Sequence, residues 1–202
     1  MLNWRRSLTI SAVSGAVVMS VIASAQTADP PLFSFFKTFC ADTRGDEGAI
    51  KKAVEAVGGQ VTMLPDTDTS PLKMRWEKGT DEQKIRLAAG GWYRSANREN
   101  PNERYLTDCY VWDSSHDVAG AEAIRNWVGI PPSDTRPFAG TQKTTYTYKD
   151  VAGVRSAIPN DRFNDTDDVW RLDVMDLVEA SGGAIYVHLY HSTLAGRRLQ
   201  IR

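Results

Sequence analysis

Apolar residues recur along this chain with two periods, and the two divide it into helices and strands. Between positions 46 and 57, Ile50, Ala53, Val54 and Val57 fall at i, i+3, i+4 and i+7, which predicts an amphipathic helix. Asp46 stands where a side-chain oxygen can cap its first turn, and Gly58-Gly59 supplies a left-handed stop. Val118, Ala121, Ile124 and Val128 make a second stripe of the same kind. Ser115 is the expected cap of that helix and Gly129 its stop, and Pro131-Pro132 prevents it from resuming.

Elsewhere the alternation has period two. Residues 61–64 and 72–76 read as short strands on either side of a loop rich in Asp, Thr and Pro. Residues 80–89 carry two signals. Thr80-Asp81-Glu82-Gln83 resembles a capping box, while Ile85 and Leu87 alternate with charged residues. The alternation predicts a strand running on toward position 95, with Gly90-Gly91 as a bulge or kink. Residues 92–96 and 105–112 flank a polar turn in a hairpin pattern, with Cys109 on one face together with Thr107 and Val111. Residues 133–140 read as a loop, 144–148 as a strand, 151–158 as a weaker strand and 160–168 as an acidic loop. A second hairpin joins 169–177 to 184–192. Trp170, Leu172 and Val174 share a face of its first strand, and Ile185, Val187 and Leu189 a face of its second. Runs of strands separated by few helices predict an α+β fold with a largely antiparallel sheet and two main helices.

The first 25 residues have a different character. Arg5 and Arg6 precede an uncharged apolar stretch from 8 to 22, and Ala23-Ser24-Ala25 is a small-x-small cleavage site. This is the layout of a secretory signal peptide over 1–25, leaving a single domain over 26–202. The alternative, a retained anchor, is opposed by the short apolar run and its interruption by Ser11, Ser14, Gly15 and Ser20. Arg5-Arg6-Ser7-Leu8 also resembles a twin-arginine signal, although paired arginines are common in ordinary leaders. Loss of Arg5 and Arg6 takes the 24 basic residues to 22 against 25 acidic ones, net −3. That balance gives no footprint for nucleic acid and no basic block for anionic lipid. No later apolar run is long enough for stable membrane insertion.

Cys40 and Cys109 are the only cysteines. In an exported chain two cysteines ordinarily pair, and closing so long a loop would contribute up to about 4 kcal/mol. Two free buried thiols and a nucleophilic Cys are the alternatives; the latter needs a His base, and no signature for one surrounds either residue. Phe33, Phe35, Phe36 and Phe39 crowd in just before Cys40 and are read as core anchors.

Candidate chemistry is sparse. His188 and His191 are three apart in a predicted strand, so they point to opposite faces, and a shared metal is disfavoured. Ser115-His116-Asp117 sets triad residue types side by side, but triads assemble from distant positions; a hydrolase would pair His116 with a distant Ser such as Ser192. Asp161, Asn164, Asp165, Asp167 and Asp168 form an oxygen-rich loop without the EF-hand order, interrupted by Arg162, and read as a solvated turn before a calcium site. Gly90-Gly91 and Gly182-Gly183 lack the spacing of phosphate loops. Trp76, Trp92, Trp112, Trp127 and Trp170 are spread over several elements, as core residues are, although a binding groove can also use them.

The stretch Phe36-Lys37-Thr38-Phe39-Cys40-Ala41-Asp42-Thr43, followed by the helix ending at Gly58-Gly59, resembles the opening of small exported proteobacterial proteins of unknown function. The resemblance covers the N-terminal third and Cys109, and implies no activity or site residues. The expectation is a periplasmic or secreted domain that binds an envelope protein or a small ligand without catalysis or cofactor, on the exposed sheet face. The alternative is a small hydrolase built on His116 or His188.

Overall fold

A computed structural model describes residues 28–65, 72–80, 83–94, 103–138, 141–177 and 183–194. The proposed signal peptide and the turns at 97–102 and 181–182 lie outside the described residues. Helix α1 (Pro31–Phe36) runs into a wider π-type turn over Lys37–Ala41, and α2 spans Glu47–Ala56. Strands β1 (Thr62–Met63), β2 (Met74–Gly79), β3 (Lys84–Arg94) and β4 (Arg104–Asp113) precede α3 (Val118–Val128). Strands β5 (Asp134–Phe138), β6 (Thr141–Val151), β7 (Val154–Ala157), β8 (Val169–Leu177) and β9 (Ala184–Leu194) follow. The strands form one sheet in the order β1-β2-β3-β4-β9-β8-β6-β5, with β7 against β6, and every pair is antiparallel. The fold is α+β, as the element order predicts.

The helices lie on one face. Leu87, Ala89, Cys109, Val111, Leu172, Val174, Ile185, Val187 and Leu189 project toward them and join Leu32, Phe36, Ile50, Val54, Ile124 and Val128 in one core. The Phe cluster is part of it: Phe35 stacks on Trp76 at 5.4 Å, Phe39 meets the same ring at 5.0 Å, and Phe36 packs edge-on against Trp127. The disulfide Cys40–Cys109 joins the π-type turn to the middle of β4, with Cα atoms 5.5 Å apart. The covalent tie therefore fastens the helical layer to a central strand.

Four local expectations are corrected. The Phe-rich segment is itself a third helix. It is apolar nearly all round and so lacks a stripe; its start was legible only in Pro31 at the first helical position, where a missing N–H costs nothing. The cap of α3 is Asp117, not Ser115: Asp117 accepts from the Gly120 N–H at 2.8 Å and from the Leu32 N–H at 3.0 Å, tying α1 to α3. Gly90 and Gly91 make no bulge, because they pair in unbroken register with Asp108 and Thr107; a Cβ on Gly91 would meet the Tyr105 hydroxyl. The expected loop at 133–140 holds β5, an edge strand that accommodates Pro137 because its outer side has no ladder to feed. Asp46 and Gly129 cap as expected.

Candidate functional site

The face that the helices leave uncovered is neither plain solvated surface nor core. Because paired residues of antiparallel strands share a face, its composition reads directly from the register. One row crosses six strands: Arg75, Ala88, Tyr110, His188, Asp173 and Thr145. The row on one side runs Glu77, Arg86, Trp112, Tyr186, Met175 and Lys143. The row on the other runs Gly90, Asp108, Tyr190, Arg171 and Thr147. Down the middle, β4 and β9 carry a stripe of half-buried rings. Tyr110 lies 4.3 Å from His188 and 5.6 Å from Tyr186, Tyr186 6.3 Å from Trp112, and His188 5.3 Å from Tyr190. Arg86 covers the Trp112 ring at 4.4 Å and pairs with Glu77 at 2.9 Å.

Two buried carboxylates on this face differ sharply. Asp173 is 1% exposed and fully engaged: it pairs with Lys143 Nζ at 2.7 Å, accepts from Thr145 Oγ1 at 2.7 Å and from Arg171 Nε at 3.2 Å. Asp108 is 6% exposed, and its Oδ1 has no hydrogen-bond partner. A buried polar atom left unpaired costs roughly 1–3 kcal/mol, more when charged. Burial first, and then the Asp173 charge, push the Asp108 carboxyl up to about 7. Burial likewise raises Tyr110 and Tyr190 above the ordinary phenol range and takes His188 down to about 4. His188 is therefore a neutral imidazole at pH 7, with Nδ1 2.6 Å from the Tyr190 hydroxyl.

A cavity of about 320 Å³ opens on the same face over β2, β3 and β4. Arg75, Glu77, Arg86, Ala88 and Tyr110 form its walls and floor. Asp108 lies one residue pair further along, beyond Ala88 and Tyr110. A larger groove of about 470 Å³ lies on the helical side, bordered by Phe35, Phe39, Val57, Lys78 and Ile85. A third cavity, of about 230 Å³, lies between Arg44, Trp127, Tyr148 and Arg155.

The residues singled out from sequence are dispersed. His188 and His191 do point to opposite faces, His191 stacking on Trp170 at 4.1 Å. His116 binds Asp176 at 2.6 Å and His191 binds Asp168 at 2.7 Å. Among the described residues no serine joins either pair as a nucleophile: Ser115 Oγ donates to Asp113 at 2.7 Å, and Ser192 Oγ accepts from Arg104 Nε at 2.6 Å. None of the three cavities is lined by a histidine. The acidic loop is organised around a cation of the protein's own. Arg104, fully buried, donates to the carbonyls of Asn164 at 3.0 Å and Thr166 at 2.6 Å, while Asp167 accepts from the Leu194 N–H at 2.7 Å. Among the described residues, no group of three His, Cys, Asp or Glu could hold a metal ion.

Asp108, Tyr110, Tyr186 and Tyr190 were not singled out from sequence, although a signal was present. Asp108, Tyr110 and Trp112 alternate with the apolar face of β4, and Tyr186, His188 and Tyr190 with that of β9. An outward face of Tyr, Trp and His, where a solvated strand would carry Lys, Glu and Thr, marks a surface meant to be covered. Comparison of the chain with protein-family models, curated proteins and solved structures gives no match.

Proposed function

We propose that this chain is a non-enzymatic binding domain of the cell envelope, periplasmic or secreted, which takes a small ligand on the open face of its sheet. One observation carries the reading: a stripe of half-buried rings on β4 and β9, of which Tyr110 borders a cavity, flanks a buried carboxyl whose Oδ1 has no partner. Pockets with an aromatic lining and few well-placed polar groups are the usual form of a small-molecule site. The leader layout and the Cys40–Cys109 bond are compatible with maturation in an oxidising compartment. The hydrolase alternative has less support, because each histidine already has a hydrogen-bond partner and, among the described residues, none is hydrogen-bonded to a serine.

The test is tryptophan fluorescence of the processed, oxidised protein during titration with a small-molecule extract of bacterial envelopes. Trp112 sits in the aromatic stripe, so a saturable change is expected in the parent and not in Trp112→Phe. A saturable change that persists in Trp112→Phe, or none at all, contradicts the proposal.

A further inference from the structure

In and beside the cavity over β2–β4 stand two ionisable groups with no ion-pair partner among the described residues. Arg75 lines it from β2 with an exposed side chain and makes no ion pair among the described residues. The other guanidinium, Arg86, is held by Glu77 and by the Trp112 ring. Asp108 lies outside the lining, one residue pair beyond Ala88 and Tyr110, buried and with its Oδ1 unpartnered. On the β3 side its register partner is Gly90, so no side chain of that strand stands beside it. On the β9 side stands Tyr190, with His188 next along that strand and Arg171 and Asp173 behind on β8. Arg171 and Lys143 are turned to Asp173, which leaves Asp108 without a counterion among the described residues.

We propose that this cavity and Asp108 together form one site for a free amino acid, with the ligand's ammonium on the Asp108 carboxylate and its carboxylate on the Arg75 guanidinium. The proposal deepens the binding reading above and rests on it. Arg75 and Asp108 are separated by two strand spacings and one residue pair. That is about 12 Å between backbones at the ordinary sheet dimensions, a gap a long Arg side chain shortens to ligand size. The cavity volume of about 320 Å³ falls at the small end of ligand pockets. A guanidinium is suited to a carboxylate by its planar fork, and a buried carboxylate without a counterion is suited to an ammonium. An ammonium brought to Asp108 draws its carboxyl down from about 7, so binding near pH 7 releases a fraction of a proton.

The experiment is isothermal titration calorimetry of the processed, oxidised protein at pH 7. Each proteinogenic amino acid is tested singly at millimolar concentration, in buffers of different ionisation enthalpy. At least one is expected to bind with proton release. Its decarboxylated amine and its deaminated acid should each bind about tenfold more weakly or worse, the equivalent of losing one charged hydrogen bond. Asp108→Asn should weaken the amino acid about tenfold and abolish proton release while leaving the deaminated acid unchanged; Arg75→Gln should spare the amine in the same way. Equal binding of either analogue, full binding by folded Asp108→Asn, or no binding by any amino acid overturns the proposal. Binding of envelope extract with a dead amino-acid panel overturns the ligand class alone and leaves the binding face standing.

Discussion

Two residues on the open face pull the pH dependence of stability in opposite directions. Asp108 keeps a proton in the fold up to about pH 7, whereas the unfolded chain releases it near 4. Its contribution is full below about pH 4 and is lost as pH rises to 7. His188 takes a proton in the fold only near pH 4, whereas the unfolded chain takes one near 6.5. Its neutral burial therefore loses stability as pH falls from about 6.5 to 4. Across that window the two slopes oppose each other. Asp108→Asn should show stability rising from pH 4 to 6.5 in urea unfolding, and should exceed the parent at pH 8 by up to about 4 kcal/mol. His188→Gln should show stability falling from pH 4 to 7. Parallel profiles for the two variants would refute the assignment. Arg104 is the third residue of note. Its guanidinium, held below the ordinary range by burial, donates to Ser192, Asn164 and Thr166. Arg104→Met leaves those acceptors buried without donors, and should cost roughly 3 kcal/mol or more in the same assay.

Among the elements, legibility followed the strength of the local pattern. The stripes of α2 and α3, the glycine stops and the two hairpins were readable, because each element buries one face and exposes the other. The α1 segment was not, because a helix surrounded by Trp76, Trp127 and the sheet needs no polar face. β5 was hidden by Pro137, whose cost disappears only once the strand is known to lie at an edge. The cap of α3 went to Asp117 rather than Ser115 because Asp117 satisfies donors of two helices at once, a tertiary benefit no local motif displays. The open face was half legible: its alternation is in the sequence, but the unpartnered Oδ1 of Asp108 beside the fully paired Asp173 depends on which strands neighbour which. Two predictions belong here. Reducing Cys40–Cys109, which closes a separation of 69 residues, should lower stability to urea by up to about 4 kcal/mol; an unchanged midpoint would count against it. Gly79→Ala at the β2–β3 turn should cost roughly 1–3 kcal/mol, because Gly79 has φ +112° and a Cβ would meet the Gln83 carbonyl. Gly58→Ala, with a left-handed φ but open space around it, should cost less in the same urea titration.

For the whole molecule, the helices and the disulfide cover one face of the sheet and leave most of the other uncovered. The helical side packs continuously from Leu32 to Leu189, while the open side carries a smaller cluster of Leu106, Phe163 and Val169, against which Tyr190 packs, and beside it rings and charges. Amide chemical-shift mapping of the labelled, processed protein with envelope small-molecule extract measures directly which side takes a ligand. The account predicts shifts clustered at Ala88, Asp108, Tyr110, Tyr186, His188 and Tyr190. Shifts gathered instead around Phe35, Phe39, Val57 and Lys78, in the groove on the helical side, would contradict it.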